Sequence, residues 1–146
     1  MAVIEGRTWL EVMPEPACRR HLHQEHVGRV VVSVGDHPEA FPVNYAMDGD
    51  DVVFRTDPGT KLHAVDEQAK VAFEIDELDL EHRTGWSVLV VGKARWVSKP
   101  EDLRRLRDVA IEPWAHGDKA SWVRIIPTKV TGRRIHPAPS STTAVH

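Results

Sequence analysis

Phe54-Arg55-Thr56-Asp57-Pro58-Gly59-Thr60-Lys61-Leu62 reads as the end of a β-strand, a tight turn and the first residues of a helix. The β-branched, apolar run Asp51-Val52-Val53-Phe54 supplies the strand. Asp57-Pro58-Gly59 breaks it, because Pro fixes φ at one turn position and Gly permits positive φ beside it. Thr60 then stands as an N-cap, with Lys61-Leu62-His63-Ala64-Val65 continuing as a short helix. A helix start carries unpaired N–H groups and partial positive charge, and so attracts anions. Arg55, Thr56, Thr60 and Lys61 bring a planar fork, two hydroxyls and an ammonium to that end. Two fixed cations match the charge of roughly −1.5 to −2 on a phosphate monoester. The same residues also fit plain roles, since capping accounts for Thr60 and surface charge for Lys61. The glycine run of a Walker loop is absent, so the local pattern leaves both readings open.

Outward from this stretch the chain is rich in strand signals. Arg29-Val30-Val31-Val32-Ser33-Val34 is strongly β-branched, and Gly35-Asp36 predicts a hairpin turn. A second strand covers residues 40–46, where Pro42 implies an edge, a bulge or an interrupted ladder. Asp48-Gly49 predicts the hairpin into the strand that ends at Thr56. Further strands are expected over residues 71–76, 86–97, 121–126 and 129–134, with Gly92 marking a bend or bulge. Between residues 79 and 85 a polar connection is expected, and the acidic run Asp76, Glu77, Asp79, Glu81 reads as a solvated loop.

Helices are expected at three places. The first runs from Pro16 to about residue 26, with Cys18 and Leu22 on one face, and ends at Gly28. The second covers residues 60–67. The third opens on Ser98-Lys99-Pro100-Glu101, which has the form of a capping box, and turns Leu103, Leu106 and Val109 toward the core. Six or seven strands with hairpin spacing and three short helices predict a mainly β fold, an antiparallel barrel with accessory helices. Residues 1–15 form an arm, 16–135 the barrel domain, and the Pro-, Ser- and Thr-rich residues 136–146 a disordered tail.

Composition narrows the function classes. An apolar content of 41% and charged content of 28% are those of an ordinary soluble domain. A net charge of −3, from 19 basic and 22 acidic residues, gives no footing to a nucleic-acid partner. The single cysteine, Cys18, excludes an internal disulfide framework and fits a reducing, cytoplasmic setting. No apolar run approaches the ~20 residues of a membrane helix. His21, His23 and His26 read as exposed histidines on the first helix rather than metal ligands, because no carboxylate or thiol completes a site. Ser33, Ser87 and Ser121 lack the G-x-S-x-G setting of a hydrolase nucleophile. Five tryptophans are a rich supply of flat walls for an aromatic ligand.

Phe41-Pro42-Val43-Asn44-Tyr45, Val53-Phe54-Arg55-Thr56 and Gly59-Thr60-Lys61-Leu62, in that order, resemble the pyridoxamine 5′-phosphate oxidase-like flavoproteins, and within them the small actinobacterial-type branch. The likeness continues through Arg83-Thr84-Gly85-Trp86-Ser87-Val88, Pro113-Trp114, Trp122-Val123-Arg124-Ile125 and Thr131-Gly132-Arg133-Arg134-Ile135. It implies an FMN-binding split barrel of antiparallel, Greek-key type, a homodimer with the flavin at the subunit interface, and an oxidoreductase acting on a small molecule. By the same resemblance Arg55, Thr56, Thr60 and Lys61 grip the FMN phosphate. Pro42, Val43 and Asn44 lie on the strand that passes the ring, Trp86 and Ser87 stand near the flavin, and Trp114 and Trp122 reach a cofactor held by the partner. The alternative is the same barrel as a non-catalytic binding module, or one that holds a deazaflavin or haem. True pyridoxamine phosphate oxidases are longer and carry extra basic residues for the substrate's own phosphate, and after Ile135 this chain has no Lys or Arg.

Overall fold

Alternation of apolar and polar residues at period two lets a strand turn one face inward, and the barrel strands use it within one eight-stranded antiparallel sheet. The computed structural model describes residues 3–5, 10–56, 69–109, 111 and 121–137. In chain order the elements are β1 (Val3–Glu5), β2 (Leu10–Met13), α1 (Glu15–Gln24), β3 (Val27–Val34), β4 (His37–Asp48), β5 (Asp51–Thr56), β6 (Lys70–Asp79), β7 (Thr84–Trp96), α2 (Pro100–Arg107) and β8 (Ser121–Ile135). Their order across the sheet is β1-β2-β8-β5-β4-β3-β6-β7, and β7 also pairs with β8. That last pairing closes six strands, β3 to β8, into a barrel.

The inward residues form one core. Val30, Tyr45, Phe54, Phe73, Val90 and Ile125 are each at most 1% exposed. Tyr45 and Phe73 meet edge to face, with centroids 4.8 Å apart. Helix α1 adds Ala17, Cys18 and Leu22 to this core. The Tyr45 hydroxyl donates to the Leu22 carbonyl at 2.7 Å, so the one phenol in the interior is satisfied by the end of α1. Helix α2 lies outside the barrel. There Leu106 covers Val53 and Trp122 in a second, smaller apolar cluster.

The hairpins expected at Gly35 and Gly49 are present, both glycines having positive φ (63° and 62°). The bulge expected at Gly92 is present too, as a register shift between Val91 and Gly92. Other elements differ from expectation. Gly28 does not end α1, which stops at Gln24, but sits buried in β3. A Cβ there would collide with the Phe73 ring. Asp76, Glu77 and Asp79 belong to β6 rather than to a loop, and Arg29 on β3 neutralises part of their charge. The two last strands are one, β8, which passes through Pro127 where its ladder with β7 shifts by one residue at Thr128. The arm contributes β1 and β2, the latter paired to the end of β8. Ser98 does not cap α2; Lys99 holds the N-cap position without a side-chain bond, and Pro100 opens the helix. The helix expected over residues 60–67 lies outside the described residues.

Candidate functional site

Strands β4 and β5 are joined by a hairpin, yet their ladder is short. It runs from Asp48↔Asp51 to Tyr45↔Phe54. Beyond that pair β5 continues through Arg55 and Thr56 along β8, while β4 continues back through Asn44, Val43 and Pro42 along β3. Among the described residues the two strands therefore part here, and the sheet is split. The Tyr45 N–H donates to the His26 carbonyl at 3.0 Å on the β3 side. Backbone groups alternate along a strand, so those of Pro42 and Asn44 point to the opposite side, into the split. Pro42 lacks an N–H, and it stands where the ladder with β5 has ended.

The register aligns Asn44 and Arg55 on the outer face of the barrel, one on each lip of the split. Beside Arg55, on β8, is Trp122. The Arg55 guanidinium carbon lies 5.5 Å from the centre of the Trp122 ring, a cation–π distance. Trp122 is 8% exposed, packed with Val53 and Leu106. Thr56, the neighbour of Arg55, is 4% exposed and is the one buried polar side chain among the described residues. Thus Arg55 and Thr56 lie beside Trp122 and Ser121 on one side of the split, and Pro42, Val43 and Asn44 lie on β4 across it. Thr60, Lys61 and Trp114 lie outside the described residues.

Trp86 and Ser87 lie elsewhere. They pair with Arg134 and Arg133 at the far end of β8 from Trp122. Twelve residues of strand separate Trp122 from Arg134, a contour of roughly 40 Å at ~3.3 Å per residue. Trp86 stacks on His21 of α1, with centroids 3.8 Å and planes 24° apart. Burial pushes the His21 pKa down, and the nearby Arg134 adds to the effect. His21 was expected to be exposed; it is half-buried, because it follows Cys18 by three residues and shares its helix face. His26 lies beyond the helix. Among the described residues no three His, Cys, Asp or Glu side chains come together as a metal site.

An ionic cluster behind the split was not read from the sequence. Arg105 of α2 and Arg124 of β8 both donate to the same Asp48 oxygen at 2.7 Å, and Arg124 also reaches Asp51 at 2.8 Å. Hydrogen bonds from Arg105, then from Arg124, hold the Asp48 carboxyl below its ordinary pKa. The cluster ties α2 to the β4–β5 hairpin. In sequence these four charges are scattered over residues 48–124 and look like separate surface groups.

A second feature concerns the outer face of β4, β3, β6, β7 and β8. The registers place Pro42, Arg29, Glu74, Leu89 and Thr131 in one row across it. The next row includes Asp76, Ser87 and Arg133. Helix α2 covers this outer face only at Ala46 and Trp122, away from these two rows. Arg29 reaches Glu74 at 3.1 Å and Asp76 at 3.2 Å through a single nitrogen.

Comparison with known proteins agrees with this architecture. Residues 14–134 match the family model described as pyridoxamine 5′-phosphate oxidase. An uncharacterized protein of Mycobacterium tuberculosis is 36% identical, over 89% of this chain and 88% of its own. The structure of an FAD-binding protein from Mycobacterium smegmatis superposes with a TM-score of 0.74 at 35% identity, covering 85% of this chain and 97% of that one. A conserved protein of unknown function from Corynebacterium diphtheriae gives a TM-score of 0.74 at 34% identity, covering 87% and 98%. With the split between β4 and β5, the closed six-strand barrel and a match over most of its length, the chain belongs to the pyridoxamine 5′-phosphate oxidase family.

Proposed function

We propose that this protein binds a flavin nucleotide in the split between β4 and β5 and serves as an oxidoreductase on a small molecule. The observation that carries this reading is the parting of the two strands after Tyr45↔Phe54, with Arg55 on one lip and the backbone of Pro42 to Asn44 on the other. A flat ring fits along a strand edge whose polar groups point outward, and a phosphate fits a guanidinium fork. The M. smegmatis relative, 35% identical, is an FAD-binding protein. FMN was expected from the sequence; FAD contains the same ribityl phosphate, so Arg55 serves either. The ring supplies the redox chemistry when bound, and the protein binds, orients and shields it.

The partner that this reading takes is a second copy of the chain, laid on the outer sheet face. Ser87 and Pro42 share the outer sheet face, but the three strand steps from β4 to β7 put about 14 Å of sheet between them at ~4.8 Å per step. The apolar groups Val31, Val91 and Leu89 on that face give such a dimer material to bury.

The test is calorimetric titration of FMN, FAD and riboflavin into the wild type, Arg55→Ala and Lys61→Ala. A charge-assisted hydrogen bond is worth about 1.5–3 kcal/mol, so each truncation should weaken FMN and FAD roughly 10- to 100-fold and leave riboflavin, which lacks the phosphate, nearly unchanged. Equal losses for all three ligands would refute the phosphate assignment. A wild-type protein that takes up none of them would refute the flavin reading.

A further inference from the structure

We infer that Trp122 is a positioning residue that holds Arg55 in place for the ligand's phosphate, and that α2 is the element that holds Trp122. The inference rests on the flavin-nucleotide reading and adds to it a residue that acts through Arg55. Arg55 and Trp122 are directly opposed on β5 and β8, and the guanidinium carbon lies 5.5 Å from the ring centre. A cation over a ring is held by the ring's electrostatic field rather than by an N–H···O bond, so this contact does not itself occupy an N–H donor. Arginine loses much rotamer freedom when it is fixed, and fixing it before the ligand arrives removes that loss from the binding step.

The ring itself is not free to move. Trp122 is 8% exposed and packs against Val53 and Leu106, the latter fully buried. Leu103 and Val109 pack against the same cluster. Helix α2 is secured in turn by the Arg105–Asp48 ion pair, and Asp48 also accepts from Arg124 on β8, two residues beyond Trp122. One chain of contacts therefore runs from the β4–β5 hairpin through α2 and Trp122 to Arg55. Its end at Arg55 lies at the split.

The experiment combines a double-mutant cycle with a ligand-free readout. FMN and riboflavin are titrated into the wild type, Trp122→Leu, Trp122→Phe, Arg55→Ala and the Arg55→Ala/Trp122→Leu pair. Trp122→Leu should weaken FMN about 3- to 30-fold, the range a cation–π contact spans, and change riboflavin by less than twofold. Trp122→Phe should recover part of that loss, and in the Arg55→Ala background Trp122→Leu should cost nothing further. Losses that multiply in the double variant, or that fall equally on riboflavin, would overturn the inference. The readout without ligand is the proton spectrum of the Arg55 side chain. The indole ring current should shift its resonances upfield in the wild type and less in Trp122→Phe, which keeps a ring in the cluster and folds if Trp122→Leu does not. Unshifted resonances in the wild type would also overturn it. If Arg55→Ala weakens FMN and riboflavin alike, the phosphate reading fails, and the placement of Arg55 by Trp122 is then decided by the ring-current shift alone.

Discussion

His21 and Trp86 share a stacked face 3.8 Å apart, and burial keeps the imidazole below its ordinary pKa. A base whose folded pKa is lowered favours the fold while it is neutral. Its contribution is present above the unfolded value of about 6.5 and is lost as pH falls through the lower folded value. His21→Phe keeps a ring on Trp86 and removes the proton, so its stability should fall less than that of the wild type between about pH 6.5 and 5 in denaturant titrations. Parallel curves would show that His21 does not titrate against the fold. Cys18 behaves as a small apolar residue. It is fully buried, burial raises its thiol pKa, and its sulfur fills the space a Cβ on Gly132 would need. Cys18→Ala should cost on the order of 1 kcal/mol and leave flavin affinity unchanged. Loss of flavin binding in folded Cys18→Ala would reverse that assignment. The burial of Cys18 was legible because α1 has a clear apolar period. That of His21 was equally present in the spacing, but residue type argued for the surface and outweighed position. Arg55 was legible as a cation at a strand end. Its cation–π contact with Trp122 was not, since the two meet only through a pairing of strands that sets residues 67 apart in sequence side by side.

Strands and hairpins were the most legible elements, because β-branched runs and Gly-containing turns act locally. Long-range pairing governs what local signals missed. Pro127 reads as a strand end, yet β8 passes through it because the ladder with β7 shifts there, leaving the next residue, Thr128, unpaired in it. The acidic run at residues 76–79 reads as loop, yet it extends β6 because Arg29 on β3 lies against it. Gly28 reads as a helix stop, but the Phe73 ring occupies the space where its side chain would be. Gly28→Ala should therefore destabilise the barrel by about 1–3 kcal/mol through overpacking, seen as a lower denaturation midpoint. An unchanged midpoint would mean that Phe73 moves aside at little cost. Helix α2 is short, and its docking depends on the apolar cluster and on Asp48. The Asp48 carboxyl is depressed by Arg105 first and Arg124 second, so its contribution is present above the usual carboxylate range and lost as pH falls through the lower folded value. Asp48→Asn should cost about 1 kcal/mol at neutral pH, flatten the acid limb below about pH 4 and move Trp122 emission toward that of an exposed indole. If emission and acid limb both stay as in the wild type, the ion pairs do not secure α2.

At the scale of the whole molecule, the proposed meeting of two copies turns on the split and on the outer sheet face away from α2. A stable dimer needs well over ~1,200 Å² of buried surface, and the outer face of β4, β3, β6, β7 and β8 is the continuous candidate among the described residues. At its centre Glu74 and Asp76 share the single cation Arg29. Burial first, and then the hydrogen bond and charge of Asp76, push the Glu74 pKa up to about 7, against the pull of Arg29. A carboxyl raised in this way favours the folded and assembled state when protonated. Its contribution is complete below the ordinary carboxylate pKa and is lost as pH rises through about 7. Laying a second copy over the face removes more water and strengthens the same preference. The dimer should therefore dissociate more readily at pH 8 than at pH 5.5, and Glu74→Gln, which carries the amide in place of the proton, should remove most of that difference. Light scattering with flavin bound, at micromolar concentration and across this pH range, measures both effects. A single-chain mass at every pH would exclude the dimer. A dimer whose dissociation has the same pH slope in the wild type and in Glu74→Gln would place the titrating group elsewhere than on this face.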